Sequence, residues 1–141
     1  MTRIRQPIQV HLVAIIGLLA ALSALSYTAW RQEQTEGNRT QRVTAFSMLQ
    51  TVEARQSVVD FDHYDNDLIA GNPIEDRGKG LYLRDLGIIM PSSIQVKTRF
   101  LQPAWAQNWQ PMHQDEVAAQ RITLAIEGLR GEIRALLVNL Q

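Results

Sequence analysis

The chain has 141 residues, no cysteine, and 14 basic against 14 acidic side chains. The missing cysteines exclude disulfides and thiolate metal sites, and the even charge lacks the basic excess of a nucleic-acid binder. About 110 residues follow an N-terminal apolar run, enough for one small domain that must hold by packing, by partners or by a bilayer.

Residues 1–9 read as a cytoplasmic tail with Arg3 and Arg5 and no acid. Residues 10–30, VHLVAIIGLLAALSALSYTAW, contain no carboxylate, lysine or arginine. As a helix they rise ~1.5 Å each and reach ~31 Å, about the thickness of a hydrocarbon core. Tyr27 and Trp30 end the run with rings suited to the headgroup layer. The run predicts a transmembrane anchor. A signal peptide is the rival reading, because Arg3 and Arg5 form a basic start and Ala21-Leu22-Ser23 or Ala24-Leu25-Ser26 supplies small residues for a cut. The apolar run continues past these sites, which favours the anchor.

The near flank is purely basic, whereas the far flank mixes Arg31 and Arg39 with Glu33 and Glu36. The positive-inside tendency therefore keeps the tail in the cytoplasm and exports residues 31–141, in a bacterium to the periplasm. The segment VAIIGLLAA looks like the N-terminal helix of type IV pilins. Aligned on Gly17, however, Arg3-Ile4 stands at the Gly-Phe processing site and Ile8 replaces the glutamate, so the likeness extends only to an apolar helix.

Residues 31–42, RQEQTEGNRTQR, are polar and read as either a loop or a solvated helical extension of the span, with Gly37-Asn38 the expected break. Asn38-Arg39-Thr40 matches a glycosylation sequon, relevant only in a eukaryotic secretory host. Val43, Phe46, Leu49, Val52 and Val59, then Phe61, Tyr64 and Leu68, predict a helix ending near Ala70, before Gly71-Asn72-Pro73. Pro73, Pro91, Pro103 and Pro111 are each expected to start or end a helix. Two shorter central helices follow, Ser92 or Ser93 capping the second. A strand over residues 86–90 is the alternative for the first, although no partner strand is evident.

The closing segment is the most regular. Ala119, Ile122, Ile126, Leu129, Ile133, Leu136 and Leu140 alternate by three and four, a coiled-coil-like seam with Asp115 as N-cap. Val117, Leu124 and Val138 are expected to widen the stripe, as in a bundle. Gly128 and Gly131 cost about 1 kcal/mol each inside a helix. The predicted fold is all-α: a single N-terminal transmembrane helix followed by a three- or four-helix bundle. It is similar in outline to the four-helix sensor domains of bacterial chemoreceptors and histidine kinases, though no second apolar span occurs in these residues.

Three clusters are candidate sites. Asp60, Asp62, His63, Asp65 and Asp67 offer oxygen ligands for calcium or magnesium, yet helical spacing splits them between two faces, so a solvated helix end is expected. Trp105 and Trp109 follow Leu101 at intervals of four and line one face, for the core or for an amine, a sugar, a partner helix or a bilayer surface. Arg77, Lys79, Arg84, Lys97 and Arg99 are expected to balance the aspartates, the alternative being an anion or lipid-headgroup site at the start of the second helix. The sequence carries no GxSxG, HExxH or phosphate-loop motif, and His11, His63 and His113 lie far apart in it.

The expected function is therefore non-catalytic and needs no cofactor: a sensor, adaptor or assembly subunit of an envelope complex. Its partners would be the lipid bilayer, other membrane or periplasmic proteins and possible copies of itself, with Trp105, Trp109 and the seam Ile122, Ile126, Leu129, Ile133, Leu136 and Leu140 as contact residues. A phage-type lysis spanin, a soluble periplasmic binding protein released by signal cleavage and an enzyme using the Asp60 to Asp67 cluster with a metal are the alternatives.

Overall fold

The computed structural model describes residues 5–74 and 76–140, with side chains from His11 onward. It is all-α: among the described residues the elements are α1 (Arg5–His63), α2 (Arg77–Gly87), α3 (Ser92–Asn108) and α4 (Glu116–Asn139). The chain divides into two compact units, Met1–Arg39 and Thr40–Gln141.

In the first unit, α1 holds the one described segment long and apolar enough to cross a membrane, and none of its most apolar stretch is buried by protein. Its hydroxyls are satisfied within the helix. Ser23 Oγ donates to Leu19 O at 2.8 Å, Ser26 Oγ to Leu22 O at 2.9 Å and Thr28 Oγ1 to Ala24 O at 2.9 Å. A polar group without water needs such a partner, so these bonds suit the segment to hydrocarbon. Gly37-Asn38 does not break the helix: α1 runs through it, at the modest cost of an exposed glycine.

The second unit packs residues 40–63 of α1 with α2, α3 and α4, and every helix brings a seam spaced by threes and fours. These are Ala45, Met48, Val52, Arg55, Val59 and Asp62 on α1; Gly80, Leu83 and Gly87 on α2; Ile94, Thr98, Leu101, Trp105 and Asn108 on α3; Ala119, Ile122, Ile126, Leu129 and Ile133 on α4. Met90 and Met112, in the turns flanking α3, complete the core. The α1 seam differs from the expected one. Val43 and Phe46 are more than half exposed, as are Tyr64 and Leu68. The buried stripe instead passes through small Ala45 and charged Arg55 and Asp62, which hydropathy does not register.

Other boundaries shift for local reasons. Helix α1 stops at His63, short of Ala70, because Asn66 enters the left-handed region (φ 54°) and the Asp67 carboxylate accepts from Ile69 N and Ala70 N at 3.0 Å. Gly71 packs against α1, and a Cβ there would run into the Asp62 backbone. Residues 86–90 finish α2 and turn rather than forming a strand. Pro91 is the N-cap of α3, but Pro103 lies inside that helix on an exposed position, where the freed carbonyl can reach water. On α4 the Asp115 carboxylate caps Val117 N at 2.9 Å, as expected. Val117, Leu124 and Val138 do not widen the buried stripe, being exposed. Ala118, Arg130 and part of Leu137 do so.

Candidate functional site

The second unit holds a cavity of about 510 Å³ where Pro73 and Ile74, α2, α1 and α3 meet. Arg55 reaches it from the α1 seam. Seam spacing carries this long side chain inward, and its guanidinium is 2% exposed. Its Cζ sits 4.0 Å from the centre of the Trp105 ring, so one face stacks on an indole. Its Nε lies 2.7 Å from Asp76 Oδ2, at the entry to α2, and Lys79 Nζ approaches Asp76 Oδ1 at 3.3 Å. Neither its Nε nor its Nη1 makes an aligned hydrogen bond among the described residues, and the same holds for both Asp76 carboxylate oxygens, so the pair is held by charge alone.

Glycine makes this arrangement fit. A Cβ at Gly80 would stand 2.7 Å from Arg55 Nη1 and 3.3 Å from Gln102 Nε2. Gln102 Nε2 donates to Gly80 O at 2.6 Å, tying α3 to α2 at the cavity wall. Burial pushes the Asp76 carboxyl above its usual range, against the pull of Arg55 and Lys79. Burial likewise draws the Arg55 guanidinium down, against Asp76, but a guanidinium so placed keeps its proton. Trp109, half-buried, and the exposed Arg77, Ile74 and Leu81 complete the mouth.

The acidic cluster is dispersed. Asp60 accepts from Gln56 Nε2 at 2.8 Å, Asp67 caps its own turn, and Asp65 is exposed. Asp62 is buried against the turn that follows α3: His113 Nδ1 donates to its carbonyl at 3.1 Å and lies 3.6 Å from its Oδ1. His63 Nδ1 donates to Met112 O at 2.6 Å. Thus two histidines distant in sequence clip the same turn to the end of α1. Burial raises the Asp62 carboxyl, with His113 and His63 opposing.

Among the other predicted residues, Trp105 is in the core and at the cavity, and Ile122, Ile126, Leu129 and Ile133 have no exposed surface. Leu136 and Leu140 are half-buried. The basic residues separate: Lys79 pairs with Asp76 and Arg84 with Asp85, while Arg77 stands at the cavity. Arg55, Asp76, Gly80 and Gln102 were not legible as site residues. The available signal was position: Arg55 falls three after Val52 and four before Val59, on the seam.

Comparison with known protein families, curated proteins and solved structures finds no match to this chain.

Proposed function

We propose that the chain is a single-pass bacterial inner-membrane protein whose exported helical domain works by binding, as a non-catalytic sensor, adaptor or assembly subunit of an envelope complex. The observation that carries this reading is the pairing of a lipid-compatible apolar helix with a separate unit that closes its own core. Arg3 and Arg5 against the mixed flank favour a cytoplasmic N-terminus and a periplasmic domain. Among the three roles, sensing has the most support. The α4 seam is spent on internal packing, whereas the Arg55–Trp105 cavity falls in the roughly 300–1,000 Å³ range of small-ligand sites.

The cleaved, soluble form is the second reading. It is favoured by one observation: the domain core begins at Ala45, beyond both cut sites, and would survive cleavage. Intact mass after membrane fractionation separates the two. A full-length mass in the membrane fraction is expected, with the domain digested by protease added to spheroplasts. A soluble chain lacking its first 23 or 26 residues would replace the anchor with a signal peptide.

A further inference from the structure

We propose that the cavity beside Arg55 is a binding site for a small organic carboxylate with a flat apolar body, the carboxylate meeting the Nη side of the Arg55 guanidinium and the body lying along Trp105 and Trp109. The inference deepens the binding role proposed above and rests on it, but not on the topology.

The guanidinium carries the argument. A buried charge costs several kcal/mol unless its donors are met. Asp76 Oδ2 balances the charge on the Nε side at 2.7 Å without an aligned hydrogen bond, Trp105 covers one face, and Nη1 has neither an ion-pair nor a hydrogen-bond partner among the described residues, at 2% residue exposure. The missing Cβ of Gly80 lets this nitrogen pack close to α2 beside the Gln102 amide, and both residues line the same cavity. A carboxylate oxygen is the acceptor that best completes a guanidinium.

Local charge agrees. Arg55, Arg77 and Lys79 stand against Asp76, which is already engaged by two of them, and the described cavity lining contains no carboxylate. An amine or another cation would meet net positive charge from the described residues there. Apart from Gln102, the rest of the described lining is apolar or aromatic, with Pro73, Ile74 and Leu81 bordering the same space of about 510 Å³ as the two indoles. That lining suits a planar hydrocarbon or aromatic ring rather than a sugar, whose hydroxyls would find few partners.

The test is calorimetric titration of the full chain in lipid nanodiscs with phenylacetate and indole-3-acetate, each against its neutral amide. Saturable binding of at least one acid is expected, with its amide at least about tenfold weaker. Arg55 also holds the fold, so the variants lie elsewhere. Ala106→Trp, at an exposed position on the cavity lining, should abolish binding with the helical melt unchanged. Arg77→Gln should weaken the acid several-fold and leave the amide unaffected. No saturable heat from either acid, equal affinity for acid and amide, or full binding by Ala106→Trp would each overturn the site. Fractionation reads the anchor and calorimetry reads the cavity, so the topology can fail while the site stands. A failed titration removes the site alone.

Discussion

Arg55 is the side chain on which the domain most depends. It is buried, charged, stacked on Trp105 and paired with Asp76. Removing one member of a buried ion pair leaves the other uncompensated and costs about 3–5 kcal/mol, whereas replacing both with apolar groups is often neutral. Arg55→Met should therefore lower the urea midpoint by an equivalent amount, and Arg55→Met with Asp76→Leu should bring stability back to within about 1 kcal/mol of the parent. Additive losses in the double variant would show that the pair is not energetically coupled. Asp62 makes a different prediction. Its carboxyl is raised by burial from an ordinary value of 3.8, so the folded state holds the proton more tightly than the unfolded one. The stability it contributes is complete below that ordinary value and is lost as pH rises through the raised one. Asp62→Asn should flatten this fall when urea midpoints are compared with the parent from about pH 3 to about pH 8. A variant with the parent's slope would remove Asp62 as its source.

Helix α4 separates what periodicity can and cannot locate. Ile126 is fully buried between neighbours of the same seam, and Leu124, two residues earlier, is 71% exposed. Ile126→Ala should cost about 2–5 kcal/mol through lost burial and a cavity, and Leu124→Ala less than about 0.5 kcal/mol, read from chemical melts. Similar costs would mean that α4 packs on a different face. The seam was legible because its alternation of three and four is unbroken by charge. The α1 seam was not, since its centre is an arginine and its edge an aspartate. The end of α1 was also misplaced, because Asn66 and Asp67 terminate the helix through backbone conformation and side-chain capping before the stronger glycine-proline signal is reached.

The molecule as a whole joins two solutions to burying apolar surface. The apolar residues between His11 and Trp30 leave theirs exposed on a helix long and apolar enough to cross a membrane, and the second unit turns its seams inward. Composition and periodicity determined the all-helical class, the apolar N-terminal helix and the α4 stripe, because each is a local pattern recurring over several turns. Folding decided the rest. The Arg55–Asp76–Trp105 cluster joins residues from α1, the entry to α2 and α3, and the two histidine clips join α1 to the turn after α3. Such contacts depend on which charged side chains the packing admits to the interior, where burial and a single neighbouring group outweigh the polarity by which a linear sequence is read.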